Sequence, residues 1–358
     1  MTKIVRAAVV ERGASSPHLV EITVDGVRHD EILVRILACG VCHTDVAWAN
    51  GELFPIFPVV LGHEISGVVE EVGASVSRVR IGDRVALGLS HHCGHCFFCE
   101  SGRPMLCAQR TRQRARFFLQ GTAIEQGYGV GGFSEATVVP ETSAIPIPAG
   151  IPFEVAAIIG CATVTGLGAV LNTAAVPAGA TVAILGAGGV GLNLIMGCHL
   201  VGAESIVVAD PDPGRRNLAT QFGATATTEP VEELLRESHP TGFEFVFESA
   251  GQVEAMELAI RITMRGGTTV LIGAPPPGAQ MRIDALNIVN SQQRILGCLT
   301  GGVRPSIDFD RYFRLYQRGL LDLDRLVTAQ LPLERVAEAF ERTRRHEGIR
   351  TVVRMGEF

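Results

Sequence analysis

From Ile32 to about Val85 the chain alternates short apolar and polar positions, in ILVRIL, GVVEEV and DRVAL, with glycine and proline between the runs. Period-two patterning in β-branched runs of this length predicts half-buried strands and little helix. PIPAGIPFE, Pro146 to Glu154, is proline-rich and precedes an apolar helical pattern from Val155, which marks a domain junction nearby. Beyond it the pattern changes. TVAILGAG reads as a buried strand and its turn, GVGLNLIMGCHLVGA as a helix, and SIVVAD as the next strand. Further units follow: a helix around Arg215 to Phe222, the strand FEFVFES, a helix from Glu254, the strand GTTVLIG, and RILGCL ending near Leu299. Strands alternating with helices predict an α/β domain with a doubly wound parallel sheet. Helical patterns in RYFRLYQRGLL and LERVAEAFERTR lead to a final strand, TVVRM.

Composition narrows the classes. The 358 residues suffice for two core-bearing domains, and 47% hydrophobic with 19% charged residues excludes a disordered or fibrous chain. A net charge of −6 offers no basic surface for nucleic acid. Glycine, charged and polar residues interrupt the apolar stretches before the roughly 18 positions a membrane span needs, so the expectation is a soluble protein with no membrane partner. Cys39, Cys198 and Cys298 read as small buried apolar residues.

Two local motifs carry chemistry. Cys93, Cys96, Cys99 and Cys107 stand at C-x2-C-x2-C-x7-C spacing, which suits a closed tetrahedral thiolate site for a structural zinc ion. An iron–sulfur cluster is the alternative, and disulfide geometry is poor at such short spacing. Free or metal-bound thiols predict a reducing compartment, the cytoplasm. The second motif is Gly186, Gly188 and Gly191, a G-x-G-x-x-G between a predicted strand and helix, with Asp210 ending the next strand. The glycines permit a tight turn and close approach of a pyrophosphate to a helix N-terminus. A carboxylate at Asp210 would bind the adenosine ribose and repel a 2′-phosphate, favouring NAD over NADP, although Arg215 nearby could receive such a phosphate.

Cys42, His63 and Cys161 are scattered, yet two thiolates and an imidazole form a known catalytic zinc set with one open position. Taken together, CGVCHTD, GHEISGVVEEVG, the four-cysteine lobe, GCATVTG, GAGGVG and GIRTVV resemble, in order, the zinc-dependent alcohol dehydrogenases of the medium-chain dehydrogenase/reductase family. The resemblance implies a β-rich, GroES-like catalytic domain from residues 1–162 and 300–358, and a Rossmann coenzyme domain over 163–299, with the site in the cleft between them. It implies a catalytic zinc on Cys42, His63 and Cys161, with Glu64 as a transient ligand and Asp45 orienting His63. Thr44 matches the hydroxyl that bonds the alcohol and passes its proton on. His43 and Arg350 match coenzyme-pyrophosphate positions, Thr165 and Val190 nicotinamide contacts, Arg215 a residue near the adenosine ribose, and Ala274 a further coenzyme contact.

The implied reaction is reversible hydride transfer between an alcohol and NAD, with two zinc ions per chain and a homodimer or homotetramer. Where many relatives carry a relay histidine, Val46 and Ala47 stand here, so protons are expected to leave through the ribose hydroxyls to water. Leu53 and Leu89 match substrate-channel positions and favour a hydrophobic, aromatic or allylic primary alcohol. Leu53 also replaces an acidic residue of the glutathione-dependent formaldehyde-oxidising relatives. A secondary-alcohol or polyol dehydrogenase, and a zinc- and dinucleotide-binding redox sensor without turnover, are the alternatives. Arg110, Arg112, Arg114 and Arg116 alternate, so an extended segment would align them on one face, either solvated or meeting an anionic substrate.

Overall fold

The computed structural model describes residues 2–89, 92–109 and 115–356. The chain forms two compact units, Met1–Cys161 with Arg304–Phe358, and Ala162–Val303.

In the first unit, Lys3–Val10, His18–Val24, Phe117–Leu119, Thr122–Gln126 and Val59–Val60 close a small barrel. A seven-stranded sheet runs in the order Ala144–Pro146, Arg84–Leu87, Glu64–Val72, Glu31–Gly40, Arg350–Arg354 and Val327–Pro332, with Ala136–Pro140 also paired to Glu31–Gly40. The barrel strands and Ala136–Pro140, Ala144–Pro146 and Val327–Pro332 have no counterpart among the alternating runs of the sequence, whereas ILVRIL, GVVEEV and DRVAL and the terminal TVVRM supply Glu31–Gly40, Glu64–Val72, Arg84–Leu87 and Arg350–Arg354. Their register matters for the site: Gly40 lies opposite Glu64 on one side and Val352 on the other. That pairing brings Glu64 and the C-terminal strand to the end of the strand that leads into Cys42. Trp48, Val46, Phe133 and Phe340 pack in the core beneath.

In the second unit, six parallel strands run in the order Ala226–Thr228, Ser205–Ala209, Thr181–Leu185, Phe243–Glu248, Thr263–Leu271 and Arg294–Gly297. Chain order reverses between Thr181–Leu185 and Phe243–Glu248, the switch point where open α/β sheets bind ligands. Ala183, Leu185, Val207, Phe243, Val246 and Ile262 fill the core. The apolar strand runs account for this sheet, as the α/β expectation required. In this unit the strand Ala226–Thr228 and the helices Glu232–Ser238 and Ala285–Ser291 lie outside the pattern. All are short and largely exposed, so few apolar positions mark them; Glu232–Ser238 buries Leu235 alone.

Phe153–Thr173 corrects the reading of the apolar stretches. It is a continuous helical run of 21 residues, long and apolar enough by composition to cross a membrane, and 83% of its most apolar window is buried in the fold. Its glycines and threonines do not interrupt the helix, because it is covered by protein. Two π-helical turns, Ile159–Thr163 and Ala169–Thr173, break its regularity, and the first contains Cys161.

Candidate active site and metal centres

Three separate elements deliver one donor cluster. Cys42 is the N-cap of the helix His43–Ala49, His63 immediately precedes the strand that begins at Glu64, and Cys161 sits in a π turn, a distortion frequent at functional sites. One ligand atom from each of Cys42, His63, Glu64 and Cys161 lies within 4.8 Å of the others. Asp45, fully buried, organises the group: it accepts from the Cys42 N–H and Gly62 N–H, both at 3.0 Å, and pairs with His63 Nδ1 at 3.0 Å. Helix cap and imidazole orienter are therefore the same side chain. Fixing Nδ1 as a donor leaves Nε2 as the ligating nitrogen.

Electrostatics favour a cation here. The bond to Cys161 holds the Cys42 thiol well below its ordinary pKa against burial, while its partner Cys161 is raised well above. Burial would lower His63, but the charge and hydrogen bond of Asp45 carry it upward. Burial lifts Glu64 to about 7 although Arg350 opposes the rise. Both Glu64 carboxylate oxygens are buried without a hydrogen-bond partner, with Arg350 Nε 3.3 Å from Oε2. Orphaned carboxylate oxygens beside two sulfurs and an imidazole are the donor set of a divalent, borderline-soft ion. Gly40 admits this arrangement, because a Cβ there would collide with Glu64 Oε2.

The second cluster gathers Cys93, Cys96, Cys99 and Cys107. All nine cysteines of the chain are free, and the sulfurs here stand 3.5 Å (Cys96–Cys99), 3.9 Å (Cys93–Cys99) and 3.9 Å (Cys96–Cys107) apart. Four sulfurs tetrahedrally placed at about 2.3 Å from one ion are separated by about 3.8 Å, so the spacing fits a single closed metal site. A backbone N–H from Cys99 helps draw the Cys96 thiol down to about 6, whereas burial pushes Cys99 up to about 12.

Thr44 Oγ1 lies 3.4 Å from Cys42 Sγ. Beside it stands an aromatic group that the sequence reading missed. The Tyr128 ring packs 4.6 Å from the His63 ring and 4.9 Å from Trp48, Trp48 lies 4.7 Å from Phe54, and Tyr128 Oη is 3.5 Å from the Thr44 carbonyl. Tyr128 has φ 54°, a left-handed conformation that is costly for a bulky residue and that clusters at functional sites. Its placement between Gly127 and Gly129 was the available signal. Leu53 is half-buried, and Leu89 is buried in the core. Val46 is buried and Ala47 half-buried, with no titratable group at either position.

Arg350 is 94% buried by its neighbours and donates through Nη1 to the Val41 carbonyl at 2.8 Å, so it belongs to the Cys42 surroundings as well as matching a phosphate position. His43 is exposed and meets His346. Arg116 corrects the reading of a solvated face for the alternating arginines: it is buried, bidentate to Glu31 and bonded to Asp25 at 3.0 Å. An alternating pattern gives the shared face but not what covers it. Arg110, Arg112 and Arg114 lie outside the described residues.

In the second unit, Gly186 has φ 99°, and a Cβ on Gly191 would collide with the Gly186 carbonyl, so turn and helix can meet only with glycine at both positions. A Cβ on Gly188, the N-cap of Gly189–Val201, would meet nothing within 4 Å, which leaves an open approach at the N-terminus of a 13-residue helix. Such a cradle fits a pyrophosphate. Asp210 is buried, accepting from the Ala187 N–H at 2.8 Å and the Asp212 N–H at 2.9 Å. It braces the glycine turn while each carboxylate oxygen retains a second lone pair. Val190 and Arg215 are half-buried, Thr165 is buried, and Ala274 is exposed with its backbone against Gly251. Glu248, also unread from sequence, ends an apolar strand and accepts from the Ala250 and Gly251 N–H groups at 2.8 and 2.7 Å, holding the neighbouring turn.

Residues 28–149 match the profile of the alcohol dehydrogenase GroES-like domain, and residues 189–318 that of the zinc-binding dehydrogenases. An S-(hydroxymethyl)glutathione dehydrogenase of Haemophilus influenzae is 35% identical, over 97% of this chain and 96% of that one. Among solved structures, benzyl alcohol dehydrogenase of Acinetobacter calcoaceticus superposes with a TM-score of 0.93 at 27% identity, covering 99% of this chain and 100% of the other. A protein of the zinc-binding dehydrogenase class from Sinorhizobium meliloti, solved with NADP, gives 0.83 at 27% identity with the same coverage.

Proposed function

We propose that this chain, which belongs to the zinc-dependent alcohol dehydrogenases of the medium-chain dehydrogenase/reductase family, oxidises a hydrophobic primary alcohol, aromatic or allylic, with NAD as hydride acceptor. The convergence of Cys42, His63, Glu64 and Cys161 carries the reading. Cys42, His63 and Cys161 would hold a catalytic zinc, with Glu64 in reserve, and the four-cysteine lobe a structural one. A zinc ion there supplies Lewis acidity toward a substrate oxygen. Asp45 keeps His63 in one tautomer and orientation. Thr44 Oγ1 accepts the proton of the alcohol and hands it on, and with Val46 and Ala47 beyond it the next acceptors are ribose hydroxyls and water. Tyr128, Trp48 and Phe54 give the site an aromatic wall, which suits a flat apolar substrate better than a polyol.

The glycine turn would take the dinucleotide pyrophosphate, and the family resemblance offers His43 and Arg350 as further coenzyme contacts. Thr165 and Val190 would contact the nicotinamide half, Asp210 and Arg215 the adenosine half, and Ala274 would be a further coenzyme contact. Asp210 supports NAD. The exposed edge strand Arg294–Gly297, with Leu286 and Val289 about 70% exposed on the adjoining helix, supports a homo-oligomer through the sheet edge. Nine cysteines outside disulfides, six of them in the two proposed metal sites, support a reducing, cytoplasmic setting.

An assay of aromatic, allylic, linear and secondary alcohols, a polyol and S-(hydroxymethyl)glutathione, each with NAD and with NADP, tests the reading. Highest kcat/KM for an aromatic or allylic primary alcohol with NAD is the expected result. A preference for the glutathione adduct, the polyol or NADP would overturn the corresponding part, and absence of all turnover would favour a sensor.

A further inference from the structure

The peptide that joins Gly186 to Ala187 in the glycine turn is held at both of its polar ends. The Ala187 N–H donates to Asp210 Oδ2 at 2.8 Å, and the Gly186 carbonyl accepts from the Ser249 hydroxyl at 3.1 Å. Asp210 and Ser249 stand just past the ends of Ser205–Ala209 and Phe243–Glu248, the two strands that flank Thr181–Leu185, so the clamp spans the switch point of the sheet.

The Ser249 hydroxyl has one proton and two carbonyls within reach, for its Oγ also lies 3.1 Å from the Leu185 carbonyl. That carbonyl already accepts the Ser249 N–H at 2.9 Å, so the hydroxyl proton serves Gly186 best. Ser249 is itself fixed from behind. Glu248, fully buried, accepts from the Ala250 and Gly251 N–H groups at 2.8 and 2.7 Å and so turns the chain directly after the serine. A glycine at φ 99° enters that conformation cheaply and leaves it as cheaply, and rotation of the peptide after it would displace Gly188, the N-cap with the open side. A turn left free in this way must be ordered when an anion arrives, at a cost in affinity.

We propose that Ser249 is a positioning residue for the glycine turn, its hydroxyl holding the Gly186–Ala187 peptide so that Gly188 and the helix N-terminus stand ready for the pyrophosphate. The inference rests on the coenzyme reading of that turn given above.

Binding of NADH to the zinc-loaded chain, followed by fluorescence, and of ADP and adenosine by displacement of NADH, tests it through three variants, with thermal unfolding measured alongside. S249A raises the Kd for NADH and for ADP about fivefold and leaves adenosine, which has no phosphate, within about twofold. S249T keeps the hydroxyl and stays within about twofold of the parent for all three ligands. G188A puts a Cβ where no protein atom lies within 4 Å, so the fold is kept while NADH and ADP weaken at least about tenfold. An S249A protein that binds ADP normally while G188A does not overturns the positioning role. Equal losses for ADP and adenosine in S249A make the role structural and the proposal fails, as it does if S249T loses as much as S249A. Normal ADP binding by G188A refutes the phosphate reading itself.

Discussion

The two cysteine-bearing clusters gather similar donors by opposite routes. The lobe draws four sulfurs from one short segment, Cys93–Cys107, around a four-residue helix and a 3-10 turn, with Phe97 71% exposed on its surface. The other draws on a helix N-cap, a strand start and a π turn, with Asp45 and His63 buried behind. A local cluster saturates its ion with thiolates and braces the loop that supplies them. A dispersed cluster mixes donor types and depends on the whole unit for its geometry, and it places Thr44 and an aromatic wall beside the ion's position. On the proposed reading, chemistry belongs to the second and stability to the first.

Substitution should separate the two. The largest effect is expected for C42A or H63A: kcat/KM falls at least about 10³-fold, since Lewis-acid stabilisation of several kcal/mol converts at about 1.4 kcal/mol per tenfold. Metal analysis should show one zinc lost and far-UV circular dichroism no loss of fold. C99S should also lose one zinc, yet lower Tm by about 5–10 °C and change kcat/KM by less than about threefold at temperatures where it stays folded. Equal activity losses in C42A and C99S would break the division.

Smaller effects sharpen it. D45N leaves the donors in place but removes the carboxylate that fixes His63, so zinc affinity should fall about 10–100-fold by competition with a chelator, with no change in the lobe metal. Y128G suits the left-handed backbone and removes the ring. It should cut the preference for benzyl alcohol over ethanol about 2–10-fold, the worth of one aromatic contact, with a lower Tm from the packing lost against Trp48 and His63.

Legibility followed the same division. The lobe and the glycine turn were readable because their parts are contiguous and each spacing has a local physical meaning. Cys42, His63 and Cys161 gained meaning only as a set carried by a family resemblance, since no local rule joins a helix cap to a π turn. The pairing of Arg350 with Glu64 depends on strand register across the sheet, and Tyr128 reaches His63 from a distant glycine-rich turn. Neither leaves a periodic trace. Arg116 shows the limit of periodicity, for its alternation was real and its partners Asp25 and Glu31 lay elsewhere in the chain. Phe153–Thr173 shows that glycine and threonine do not end a helix when protein covers it.

The central claim is that one ion serves chemistry and the other the fold. It is tested most directly by titrating the zinc-loaded chain with a chelator while zinc per chain, turnover and circular dichroism are read from the same sample. The account predicts two zinc ions per chain at the start. It further predicts that removing the ion of the Cys42 cluster, with its open position, abolishes turnover with the fold intact, and that unfolding follows only as the thiolate-enclosed ion leaves. One zinc per chain, or activity that disappears only as the fold does, would contradict it.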